Sequence, residues 1–216
     1  MSKKGIFITF EGPDGCGKTT IINLIYQDLQ KKFGQENVVL TREPGGKNNI
    51  IAEDIRNILL NKINYKISDR TEALLFAASR AQHVKDFIIP NLESGKIILC
   101  DRYIDSSLVY QGYARNIGME NIWEINKFAI LNTMPDFTIL LMIEPEKGLA
   151  RIQANKNRDV NRLDRETLDM HKKVYEGYKL IAQKYSDRII AINAENNVDK
   201  VHQDTLDVVL KRIGDR

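Results

Sequence analysis

The chain has 216 residues, 43% of them apolar, a net charge of +3 and two cysteines. That length and apolar content suit a single globular domain with a sizeable core. The small charge, with no block of like charges, gives no ground for nucleic acid or an anionic membrane as a partner, and two cysteines do not make a disulfide framework.

No apolar stretch of signal-peptide length opens the sequence, and the longest apolar run, Phe137 to Ile143, falls far short of the ~20 residues that cross a bilayer. The expected setting is the reducing cytoplasm. His83, His171 and His202 are scattered without ligand spacing, so a zinc site is not expected.

In chain order, Ile6 to Phe10 reads as a buried strand that runs directly into Gly12-Pro-Asp-Gly-Cys-Gly17-Lys18-Thr19. This is the G-x-x-x-x-G-K-S/T phosphate loop. Glycines let successive N–H groups turn inward around phosphate oxygens, and the helix that follows aims its unsatisfied donors and positive dipole end at the same anion. Lys18 would reach the β and γ phosphates, and Thr19 would offer its hydroxyl to Mg²⁺. The helix expected from Thr19 to Phe33 gathers Ile21, Leu24, Ile25 and Leu29 on one face.

Further apolar strands are expected at Val38 to Thr41, Ile97 to Cys100, Phe137 to Ile143 and Ile189 to Ile192. Between them fall helical stretches at Ile50 to Leu60, Asp69 to Leu92, Asn121 to Leu131, Thr167 to Lys184 and Val198 to Arg212. The alternation predicts an α/β P-loop NTPase, a five-stranded parallel sheet with helices on both faces. Residues Asn155 to Arg165 lose the hydrophobic period and carry Arg158 and Arg162, which makes them either a solvated loop or part of a mobile basic lid at about 151–165. Asn155-Lys-Asn-Arg-Asp159 approaches the guanine-reading N-K-x-D pattern, but its acid falls one place late, which disfavours a GTPase.

Ligands of an open α/β sheet bind beyond the carboxyl ends of the strands, so the residues just after each strand matter most. Here they are Thr41-Arg-Glu-Pro-Gly-Gly46, Asp101-Arg-Tyr103 and Glu144-Pro145. Asp101 stands where a phosphate-loop enzyme keeps the acid of the Mg²⁺ shell, with a turn-capping acid as the alternative. Arg102 beside it suits a second phosphate group, which a guanidinium grips in a bidentate fork. Phe76 and Arg80 share one helical face and could stack on a base and donate to its edge; equally, Phe76 could be core and Arg80 a solvated charge.

Together with Leu75-Phe-Ala-Ala-Ser-Arg80, Asp101-Arg-Tyr-Ile-Asp-Ser-Ser107 and Tyr110-Gln-Gly-Tyr-Ala-Arg115, these motifs make nearly the whole chain resemble the bacterial thymidylate kinases. The resemblance implies phosphorylation of dTMP to dTDP by ATP with Mg²⁺ in a homodimer. It implies that Gly12, Pro13, Asp14, Gly15, Cys16, Gly17, Lys18, Thr19 and Thr20 hold ATP. Phe76 would lie under thymine, with Arg80, Ser107 and Gln111 at its edge. Tyr110 would crowd the sugar, and Asp14 would face the 3′-hydroxyl. Arg42, Arg102 and Glu43 would surround the acceptor phosphate and its metal-bound water, Pro44 and Tyr103 would also contact dTMP, and Thr19, Asp101 and Glu43 would serve the metal.

The loop lacks an arginine, so the chain resembles the members that carry the catalytic arginine in the lid, as Arg158 or Arg162. Cys16 departs from the family's usual small residue, and anion-binding N–H groups around it would favour a reactive thiolate. Two other readings stand beside the kinase of dTMP. A deoxynucleoside kinase on the same scaffold would need a carboxylate base and less positive charge at the acceptor. An ATP-binding switch acting on a protein partner would have no use for a base-reading face.

Overall fold

Five strands alternate with helices along the chain, and each strand ends where its apolar run gives way to charge. They are β1 (Ile6–Glu11), β2 (Val38–Arg42), β3 (Ile97–Asp101), β4 (Phe137–Met142) and β5 (Ile189–Asn193). The computed structural model describes residues 5–46, 49–60, 67–154 and 167–214. All four strand pairings are parallel, in the order β2-β3-β1-β4-β5, with Phe10 opposite Asp101 and Arg42 opposite Asp101 in the β1–β3 and β2–β3 ladders. The register therefore brings the phosphate loop, Arg42 and Asp101 to one rim of the sheet.

The helices among the described residues are α1 (Lys18–Phe33), α2 (Ile50–Leu60), α3 (Asp69–His83), α4 (Ile89–Glu93), α5 (Ile104–Ser107), α6 (Met119–Ile130), α7 (Pro145–Ala154), α8 (Leu168–Lys184) and α9 (Val198–Gly214). Side chains that alternate along each strand feed cores on both faces. Ile8, Phe10, Leu99, Ile139 and Leu141 pack with Ile21, Ile25 and Leu29 of α1 and Val201 and Val209 of α9. On the other face Phe7, Ile98 and Cys100 meet Ala73, Ile104 and Ile122, while Leu140 meets Val174, Tyr178 and Ile181 of α8.

The strands and five of the helices fall where the sequence predicts them, to within two residues at each end. The stretch expected as one helix from Asp69 to Leu92 is instead α3, a π-helical turn (Val84–Ile88) and α4. Pro90, which has no N–H, sits in the first turn of α4, where none is needed. Ser68 caps α3 by accepting from the Thr71 N–H at 3.3 Å. Two helical segments go beyond the expectation: α5 with the π-helical stretch Leu108–Ala114, and α7, which opens on Pro145 and covers the start of the expected lid as far as Ala154. The remainder of that lid, with Arg158 and Arg162, lies outside the described residues. No helix among the described residues is long and apolar enough to cross a membrane.

Candidate active site

The phosphate loop leaves β1 at Gly12 and enters α1 through Gly17, whose φ of 83° is the left-handed conformation that a side chain disfavours. Gly15 also has φ 82°, and its backbone lies so close to the first turns of α7 that a Cβ built there would stand 2.2 Å from the Gly148 carbonyl oxygen. Gly148 meets the loop from its own side, where a Cβ would stand 2.7 Å from the Asp14 carbonyl oxygen. Lys18 and Thr19 then emerge at the start of α1. Lys18 Nζ lies 3.2 Å from Asp101 Oδ1, and the Thr19 hydroxyl donates to Asp101 Oδ2 at 3.0 Å. Thr20 is exposed beside them and Pro13 is buried beneath the loop.

A cavity of about 280 Å³ opens next to this loop. Its lining includes Asp14, Lys18, Thr19 and Asp101, the group Arg42, Glu43, Pro44, Arg56 and Arg102, and Phe76, Arg80, Tyr103, Ser107, Tyr110 and Gln111. Residues expected at the site from four separate segments thus meet around one space. Phe76 is half-buried on its wall and belongs to none of the apolar clusters, so the alternative of a core Phe76 falls away.

Arg102 adopts φ 69°, unusual for a residue with a side chain, and four groups hold its guanidinium. Nη1 donates to Ser106 Oγ at 3.0 Å and Tyr178 Oη at 3.2 Å; Nη2 donates to Asp14 Oδ1 at 2.6 Å and Tyr110 Oη at 3.3 Å. Beneath it, Glu11 is fully buried and accepts from the Tyr103 N–H, the Ser106 N–H and hydroxyl, and the Tyr178 hydroxyl. Burial, then the neighbouring Asp105 carboxylate, push the Glu11 pKa up to about 6, against the pull of Arg102. For Asp14, burial acts upward, but Arg102 and Lys18 outweigh it and hold the carboxyl below its ordinary range.

The partners of three residues bear on the readings above. Arg80 is not a solvated charge: it is 1% exposed, with Nε on Glu43 Oε2 at 2.7 Å, Nη1 on Ser107 Oγ and Asn126 Oδ1, and Nη2 on the Tyr103 carbonyl. Glu43, expected toward the metal, has one oxygen 2.7 Å from Arg80 Nε and the other 3.0 Å from His83 Nδ1. Cys16 is buried beneath the loop, and that burial pushes its thiol pKa up, against Lys18 and Arg102; the activated thiolate expected there is reversed.

Sequence reasoning missed Arg56, the single cation of α2. It lines the cavity and donates to the Pro44 carbonyl at 2.8 Å. Burial and the Arg42 charge beside it lower its pKa, against the pull of Glu53 and Asp101. Being the only base in an otherwise acidic and apolar helix was the available signal. The Glu43-Pro44 peptide bond is cis. Oxygen atoms of Thr19 and Asp101, the cations Lys18, Arg42, Arg56 and Arg102, and the ring of Phe76 thus face one space.

The family profile described as thymidylate kinase matches residues 10–205. A thymidylate kinase of Clostridium novyi is 54% identical over 203 residues, covering 93% of this chain and 96% of the relative. One from Geobacillus is 52% identical over 213 residues, covering 99% and 100%. Among solved structures, the thymidylate kinase from Ehrlichia chaffeensis superposes with a TM-score of 0.77 at 33% identity, over 95% of this chain and 99% of that one.

Proposed function

The chain belongs to the thymidylate kinase family, and we propose that its cavity holds dTMP while the phosphate loop holds ATP, so that the two phosphate groups meet beside Lys18. The observation that carries this division is the single space lined at once by Lys18, by Arg42, Arg56 and Arg102, and by Phe76, Arg80 and Gln111.

The acceptor is a phosphate monoester whose second pKa is near 6, so at neutral pH its oxygen is already an anion and no general base is needed. Catalysis can then come from positioning and charge neutralisation. Lys18 holds the donor's terminal phosphates. Arg42 and Arg56 grip the acceptor phosphate, and Arg102, fixed by its four partners, stands between acceptor and loop. Phe76 stacks on the base, Arg80 and Gln111 read its edge, and Tyr110 and Asp14 bound the sugar.

The hard oxygens of Thr19 and Asp101 suit Mg²⁺, which typically binds through one or two protein oxygens together with substrate phosphates and water. Bound there, it would neutralise charge on the β and γ phosphates. Arg158 or Arg162 serves as the arginine finger of the transfer, supplied in cis.

A homodimer is part of the same proposal. Ile51 and Ile58 of α2, Leu74 of α3 and Phe128 of α6 are exposed on helices packed side by side, Phe128 to 85%. An apolar surface of that kind suits a second copy of the chain.

A coupled assay of ADP release, run in parallel with dTMP, thymidine and no acceptor, tests the function. Turnover that requires dTMP supports it. Turnover with thymidine alone would point to a nucleoside kinase, and acceptor-independent hydrolysis to a switch.

A further inference from the structure

We propose that Glu72 determines which pyrimidine the site accepts, by fixing the side-chain amide of Gln111. The inference rests on the reading above that Phe76, Arg80 and Gln111 surround the base. Gln111 is 3% exposed and lines the cavity, with Nε2 2.9 Å from Glu72 Oε1.

Which end of an amide is oxygen and which nitrogen follows from its partners. Here the partner leaves no choice. Glu72 is paired with Arg115, whose Nε lies 2.8 Å from Oε1 and Nη2 3.4 Å from Oε2, and a carboxylate in an ion pair only accepts. The NH₂ of Gln111 must therefore face Glu72, and its oxygen must face away. That oxygen has no partner among the described residues.

Arg80 approaches from α3 with its donors nearly spent. Of the five N–H groups of a guanidinium, one goes to Glu43, two to Ser107 and Asn126, and one to the Tyr103 carbonyl. One Nη2 hydrogen remains. The edge of a bound base thus meets a donor from Arg80 and an acceptor from Gln111.

Thymine and uracil present the complement, a ring carbonyl beside the N3–H. Cytosine presents the reverse, an amino group beside a bare N3, and would set donor against donor and acceptor against acceptor. Turning the Gln111 amide over would satisfy half of cytosine's demand, and Glu72 prevents that turn. Glu72 does not touch the base; it is a positioning residue for specificity.

The test compares kcat/KM for dTMP and dCMP. Glu72→Met with Arg115→Met removes both charges of the Glu72–Arg115 pair together, and it should lower the dTMP-to-dCMP ratio by at least about tenfold. Glu72→Gln, whose amide oxygen can still accept from Gln111 and Arg115, should keep the ratio within about threefold of the parent. A folded double variant with the parental ratio overturns the proposal, as does a Glu72→Gln that loses discrimination as fully as the double variant.

A second measurement stands if the double variant fails to fold. dTMP methylated at N3 should bind at least about tenfold more weakly, with the deficit shrinking in Gln111→Ala; a deficit unchanged in Gln111→Ala, or none at all, overturns the assignment. Gln111→Leu keeps the two levels apart. If it leaves dTMP binding unmoved, the base is not where we place it; if dTMP binding falls while the Glu72 variants keep the ratio, only the role of Glu72 fails.

Discussion

Glu11→Gln isolates the charge of a carboxylate that is fully buried under the site. Burial and Asp105 raise its pKa from 4.5 to about 6 in the folded protein. A folded pKa above the unfolded one means the native state holds the proton more tightly, so the stability this group lends is complete below pH 4.5 and lost as the pH rises through about 6. The interval between those two values, at about 1.36 kcal/mol per unit, amounts to about 2 kcal/mol. Glutamine does not titrate, so the variant gains about 2 kcal/mol on the parent between pH 4 and pH 7.5. The constant cost of an amide among four donors cancels in that comparison. Urea unfolding of both proteins at the two pH values measures it, and a difference that moves by less than about 0.5 kcal/mol refutes the assigned environment of Glu11.

Phe76→Ala removes the wall on which the base would stack, worth about 1–3 kcal/mol per base, so the KM for dTMP should rise by about 5- to 150-fold with that for ATP unmoved. Titration of dTMP into the variant checks it, and unchanged affinity removes Phe76 from the site. Cys16, buried and with its thiol pKa raised, should resist alkylation at pH 7 in the native protein and react at the unfolded rate in denaturant, read by mass spectrometry. Replacing Arg158 and Arg162 by alanine together should cut turnover by about 10³-fold or more with dTMP affinity little changed, and near-parental turnover in the double variant would remove the lid arginine from the mechanism.

The sheet was legible because buried parallel strands read as continuous apolar runs, and Ile6–Glu11, Ile97–Asp101 and Phe137–Met142 are such runs. The helical course of residues 104–114 was not. Its Ser106, Ser107 and Gly112 are weak helix formers, and the segment is held by tertiary partners, among them the Glu11 carboxylate that takes the Ser106 N–H and hydroxyl. The phosphate loop is local in sequence and was found from sequence. What escaped was the layer behind it: nothing in the chain order of Glu72, His83 and Tyr178 signals that they brace Gln111, Glu43 and Arg102, because those contacts span 39 to 76 positions.

The contact between Gly15 and Gly148 limits what variation the protein can tolerate. A larger residue in one packed position is often accommodated by trimming its neighbour, yet here both neighbours already lack a side chain, and the atoms in the way are main-chain carbonyls. No compensating replacement exists on either side. The two positions are locked as a pair, and the helix that carries Gly148 takes its height above the sheet from the loop between β1 and α1.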